Sequence, residues 1–92
     1  MPRFDIGRFV MTKGIANEID NKPSYQNEIL DCLTKYLSGD WGTLCDEDKQ
    51  ANELAIKNND RILAKYITSS GSIYMITEWD RSYTTVMFVE EY

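Results

Sequence analysis

The side chains of this chain that could do chemistry are mostly carboxylates, and they fall in three places. Asp40 and Trp41 stand between Gly39 and Gly42 and are followed by the run Asp46-Glu47-Asp48. Glu78, Trp79, Asp80 and Arg81 are consecutive, and Glu90 and Glu91 come last before Tyr92. Clustered carboxylates bind Mg²⁺ or Ca²⁺ or perform general acid/base work. Asp40, Asp46, Glu47, Asp48, Glu78 and Asp80 gathered near one end of a sheet would therefore make a small carboxylate-based enzyme or a metal- or ligand-binding protein. Their spacing matches no calcium loop, and Arg81 is close enough in sequence to neutralise one or two of them. No catalytic residue, metal ligand or cofactor is assigned on this pattern. The leading functional use is a partner-binding surface made of all these acids with Trp41, Trp79 and Arg81, because Trp and Arg are frequent interface anchors.

The first two clusters also have a purely structural use, which is the favoured reading. Acids in the first turn of a helix interact well with its unpaired amides and positive dipole end. A turn Trp79-Asp80-Arg81-Ser82 would let Asp80 accept amide bonds within the loop, Arg81 fork onto Asp40 or Asp48, and Trp79 pack. On this reading Arg81 is the counterpart of the Gly39-Asp40-Trp41-Gly42 motif.

Histidine is absent, which removes the commonest general base and the commonest metal ligand. Cys32 and Cys45 are too few for a disulfide framework. Cys32 falls on an apolar stripe and reads as a small core residue; Cys45 precedes the acid run at a helix N-cap. The amino terminus lacks a charged-then-apolar leader, and no apolar run approaches membrane-spanning length, so a cytoplasmic location without membrane partners is expected.

The chain has 92 residues, of which 42% are apolar and eleven aromatic, the amount of material that makes one domain with a single core. Fifteen acids against ten bases give a formal charge of −5. That balance disfavours direct binding to nucleic acid, where affinity comes from Lys and Arg on phosphates, and suits a basic protein surface.

The elements that must position these residues can be read from periodicity. Residues 4–11 alternate as a strand, with Gly7 marking a bulge or the close approach of another backbone. Thr12 is an N-cap for a short helical turn over 13–19, ended by Asp20-Asn21-Lys22-Pro23. Ser24 is the N-cap of the longest helix, over about 25–38, whose stripe of Tyr25, Ile29, Cys32, Leu33, Tyr36 and Leu37 must be covered. Gly39 stops it in the left-handed conformation. A further helix begins at Asp46 with Leu44 as a staple; its thin apolar face is Ala51, Leu54 and Ala55, and Asn58-Asn59-Asp60 closes it. Residues 61–68, 72–79 and 83–89 have a period of two and form an antiparallel meander with a tight Ser69-Ser70-Gly71 hairpin. The expected fold is α+β: an antiparallel sheet of three to four strands, the N-terminal strand plus this meander, with two main helices on one face. The other face is left for the first strand, for aromatics or for a second subunit.

Several stretches together resemble a family of small acidic proteins carried by plasmids, phages and integrative elements of mainly Gram-positive bacteria. They are Gly7-Arg8-Phe9-Val10-Met11-Thr12-Lys13-Gly14-Ile15, Gly39-Asp40-Trp41-Gly42 with Glu47, Asp48 and Asn52, and Arg61-Ile62-Leu63 with Tyr66. To these are added Ile76-Thr77-Glu78 with Asp80-Arg81-Ser82, Thr84-Thr85-Val86 and the closing Glu90-Glu91-Tyr92. The resemblance covers nearly the whole chain. It departs at Trp79, where a small residue is usual, and at Asn58-Asn59-Asp60, where a glycine turn is common. Members are sometimes labelled as a subunit of type I restriction enzymes, but a methyltransferase subunit needs a far larger cofactor-binding fold with a glycine-rich loop. The resemblance implies an accessory protein of a mobile element. With the acidity, it points to a non-catalytic inhibitor of a CRISPR or restriction nuclease that presents its acids to a basic nucleic-acid channel. A homodimer through the uncovered sheet face or a strand edge is compatible with that role.

Overall fold

The computed structural model describes residues 3–92. Four strands and three helices follow in the order β1 (Arg8–Met11), α1 (Lys13–Asn21), α2 (Tyr25–Ser38), α3 (Asp46–Asn58), β2 (Ile62–Thr68), β3 (Gly71–Thr77) and β4 (Tyr83–Phe88), and a 3₁₀ turn, Val89–Glu91, ends the chain. The fold is α+β as expected, and β2, β3 and β4 form the antiparallel meander. The sheet order is β1-β4-β3-β2, and β1 pairs with β4 in parallel, so the sheet is mixed and the first strand is an edge.

The first strand is half the expected length. Gly7 has φ +61°, and a Cβ there would run into the carbonyl oxygens of Arg81 and Ser82. The chain must therefore turn at Gly7 before Arg8 N–H can donate to Ser82 O at 3.1 Å. Phe4 and Ile6, ahead of the turn, pack on the core instead of extending the sheet. Thr12 caps α1, its hydroxyl accepting from Ile15 N–H, and α1 runs two residues past the expected end.

α2 has the expected bounds without the expected cap: Ser24 is already helical (φ −63°, ψ −18°) and its hydroxyl caps nothing. The first amides are met by backbone instead, Tyr25 N–H donating to Lys22 O and Gln26 N–H to Pro23 O. Cys45 occupies the N-cap position of α3 in extended geometry without a side-chain bond. The inward face of α3 also differs from the pattern. Ala51 and Leu54 are exposed, and Asn52 and Ala55 are buried. Asn52 faces inward because its amide matches a peptide group: Nδ2 donates to Leu63 O (2.7 Å) and Oδ1 accepts from Leu63 N–H (3.1 Å).

Strand register places Ile62, Ala64, Tyr66, Ile73, Met75, Thr77, Thr84 and Val86 on one face. There they meet Ile15 of α1, Tyr25, Ile29, Cys32 and Tyr36 of α2, and Ala55 of α3. Through that core runs a buried row of hydroxyls. Tyr36 OH bonds Thr77 Oγ1 (2.7 Å), Thr77 bonds Thr84 Oγ1 (2.7 Å), and Thr84 donates to Ile6 O (2.8 Å). Burial pushes the Tyr36 phenol well above its ordinary pKa, so it stays a neutral donor. The opposite face carries Leu63, Lys65, Tyr74, Ile76, Thr85 and Met87, and aromatics do part of its covering. Tyr92 meets Tyr74 edge-on with centroids 5.5 Å apart, and Ile76 is 1% exposed.

Candidate functional site

Gly39 ends α2 at φ +89°, its N–H turned back to Lys35 O and Tyr36 O. The chain then lies along the outer edge of β2. Lys65 N–H donates to Trp41 O (3.3 Å), Lys65 O accepts from Thr43 N–H (2.8 Å), and Gly42 bridges Lys65 in parallel. Gly42 is obligatory there: at φ +77°, with a Cβ directed into Lys65 O, no side chain fits. Asp40 is exposed, but it holds this turn from both ends. Its Oδ1 accepts from Gly42 N–H (3.0 Å) and its carbonyl from Tyr66 OH (2.6 Å).

Trp41 is core, 3% exposed, with Tyr36 edge-on at 5.7 Å and Phe4 tilted at 5.9 Å. Its indole N–H donates to Glu53 Oε2 at 2.8 Å. Glu53 also takes a bidentate pair from Arg3, at 3.0 and 2.6 Å. The Arg3 bonds, then the Trp41 bond, hold the Glu53 carboxyl below the ordinary range. Nothing in the sequence distinguishes Glu53 from a solubilising helix acid; only the demand of a buried indole for an acceptor hints at such a residue.

Asp46, Glu47 and Asp48 occupy the first turn of α3, are all exposed, and meet no cation among the described residues. The expected partner, Arg81, does not reach Asp40 or Asp48. It sits at the other end of α3, a helix of 13 residues and hence roughly 20 Å long. There Nη2 donates to Ala55 O (2.9 Å), and Nη1 to Asp60 O (2.7 Å) and Glu78 O (3.1 Å). A cation on the final carbonyls of a helix is favoured by their partial charge, whereas carboxylates prefer the opposite end. The Asp48 end of α3 and the Arg81 end are thus a helix length apart, and the expected fork of Arg81 onto Asp40 or Asp48 does not form.

The 78–82 turn holds itself together. Asp80 accepts from Ser82 Oγ (2.6 Å) and Ser82 N–H (3.0 Å), which keep its carboxyl below the ordinary range. Arg81 has φ +60°. Glu78 pairs with Arg61 at 3.7 Å. Trp79 does not pack, being 65% exposed.

The third cluster divides. Glu90 is exposed, whereas Glu91 is a latch: its Oε1 accepts from Thr12 Oγ1 and from Phe88 N–H, both at 2.8 Å. A side chain at Gly14 would collide with that carboxylate. Asp46 to Asp48 therefore lie at one end of α3 and Glu78 to Arg81 at the other, while Asp40 stays on the preceding turn beside Gly42 and Tyr66, and Glu90 and Glu91 lie beyond β4. Among the described residues no three Cys, Asp or Glu side chains come close enough together to hold a metal ion, and no helix is long and apolar enough to cross a membrane. The chain matches no protein-family model, no curated protein and no solved structure, so its function has to be read from this geometry.

Proposed function

We propose that this chain is a non-catalytic accessory protein of a bacterial mobile element that acts by binding another protein through the acidic start of α3. The partner is a basic, nucleic-acid-handling defence protein of the CRISPR or restriction type, whose channel these carboxylates occupy in place of nucleic acid. One observation carries the reading: Asp46, Glu47 and Asp48 are exposed on a rigid helix turn with no cation on them, while Arg81 is committed to the carbonyls of Ala55, Asp60 and Glu78. Asp40, also exposed, extends the surface on the preceding turn. Fixed, uncompensated charge of one sign steers a partner of the other sign and restrains its register. Trp79 and Asp80 at the far end of the helix supply a second contact of the kind that anchors interfaces.

Affinity purification from a Gram-positive host, comparing the natural chain with the triple variant Asp46→Lys, Glu47→Lys, Asp48→Lys, tests this. The expected result is a basic nuclease or nucleic-acid-handling protein recovered by the natural chain and lost with the variant. Recovery of no such protein, or equal recovery by both chains, would rule the reading out.

A further inference from the structure

The sheet treats its two edges differently. The β2 edge is blocked at Lys65 by Trp41 and Thr43, which bond its N–H and C=O, and at Leu63 by the Asn52 amide. The β1 edge is open. Arg8 N–H and Thr12 N–H turn inward, to Ser82 O and Val86 O, both at 3.1 Å. Strand geometry then turns the N–H and C=O of Phe9 and Met11 outward, where they meet no backbone partner among the described residues. Such an edge is a template for another strand.

We propose that the partner strand is β1 of a second copy, paired antiparallel about a twofold axis at Val10 to form one continuous eight-stranded sheet. The register is self-complementary. With the axis at Val10, Phe9 of each chain lies opposite Met11 of the other, and the two pairs exchange four N–H···O=C bonds. Val10 faces its own copy in the non-hydrogen-bonded position between them. Met11, 42% exposed in the single chain, is then covered by the partner's Phe9. An axis at Phe9 or at Met11 would instead leave the other residue facing Gly7 or Lys13.

Charge selects the same arrangement. Arg8 falls beside the partner's Thr12, whose hydroxyl holds the Glu91 carboxylate at 2.8 Å. The dimer thus brings Arg8 and Glu91 together twice across the axis and opposes no like charges in the strand. It is also closed. Both open edges are consumed, and the outer edges that remain are the β2 edges, blocked at Leu63 by Asn52 and at Lys65 by residues 41–43, so growth stops at two copies.

Three measurements test the proposal. Light scattering on the eluting protein at high micromolar concentration should give twice the single-chain mass of 10.7 kDa. Val10→Cys in a Cys45→Ser background should form a reducible covalent dimer under mild oxidation, since a non-hydrogen-bonded cross-strand pair, with Cα atoms about 4.5 Å apart, lies within disulfide range. Ile67→Cys, on the opposite edge strand, should not. Arg8→Glu should raise the dimer dissociation constant by roughly tenfold or more without changing the circular dichroism of the chain. A monomer at that concentration, or crosslinking at Val10→Cys no faster than at Ile67→Cys, would overturn it.

Discussion

At Arg81 a strained backbone and three charge-assisted bonds occupy one residue. A left-handed conformation costs a non-glycine residue about 1–2 kcal/mol, and each bond from a charged donor to a carbonyl returns about 1.5–3 kcal/mol. The bonds win, which is why an arginine and not a glycine can stand at φ +60°. Arg81→Ala removes the bonds and keeps the strain, so its unfolding free energy in urea should fall by about 2–4 kcal/mol. Arg81→Gly relieves the strain and should recover about 1 kcal/mol of that loss; equal losses for the two variants would show that the strain is not at issue. Asp40, by contrast, is exposed and loses only its bond to Gly42 N–H on truncation. Asp40→Ala should cost less than about 1 kcal/mol, far below what breaking a buried pair with Arg81 would cost.

At the scale of the element, α3 is a polar helix seated by two polar devices. Asn52 pairs with both backbone groups of Leu63, and Arg81 gathers the carbonyls at the helix end. Asn52→Ala would leave the Leu63 N–H and C=O without that partner, and should lower stability by about 2–3 kcal/mol. Leu54→Ala, on the outward face, should change it by less than about 0.5 kcal/mol. Thermal melts of the two variants give the order, which an apolar seating of α3 would reverse. The segment joining α2 to α3 is no less constrained. Gly42→Ala meets both a left-handed φ and the Lys65 carbonyl, and a loss of at least about 3 kcal/mol is expected in the same assay.

Across the whole molecule, acid pH should loosen the fold in a specific way. Glu28, held by Ser69, Glu53, held by Arg3 and Trp41, and Asp80, held by Ser82, all have carboxyls below their ordinary values. Each binds a proton more weakly when folded than when unfolded. Their contribution is therefore complete above the ordinary values of 4.5 for Glu and 3.8 for Asp, and is lost as pH falls through the depressed ones. The melting temperature should drop between about pH 5 and pH 3, and less steeply for Glu53→Gln than for the natural chain. Parallel slopes for the two chains would mean that the Arg3–Glu53–Trp41 contact contributes nothing to acid sensitivity.

Much of this architecture is determined by local chemistry. The stripe of Tyr25, Ile29, Cys32 and Tyr36, the stop at Gly39, the acidic first turn of α3 and the period of two in the last three strands each follow from interactions within a few residues, so the α+β class, α2 and the meander were legible in the chain. Gly7 likewise announced a close backbone approach, because only a missing Cβ permits one. What remained hidden depends on which segments meet. The parallel seat of β1 beside β4 and its open edge follow from packing at long sequence separation. Asn52 could be recognised as an inward residue only once Leu63 lay opposite it, since a polar side chain on a helix reads as solvated until a peptide group is presented to it. Arg81 and Asp40 lie 41 positions apart in the sequence, and each is taken by backbone groups near it in the fold: Arg81 by the carbonyls of Ala55, Asp60 and Glu78, Asp40 by the N–H of Gly42. Tertiary structure therefore assigned Arg81 to the end of α3, Trp41 to the core and Trp79 to the surface. Hydrophobic pattern specifies which faces must be buried; which polar groups meet across those faces is decided by the assembled backbone.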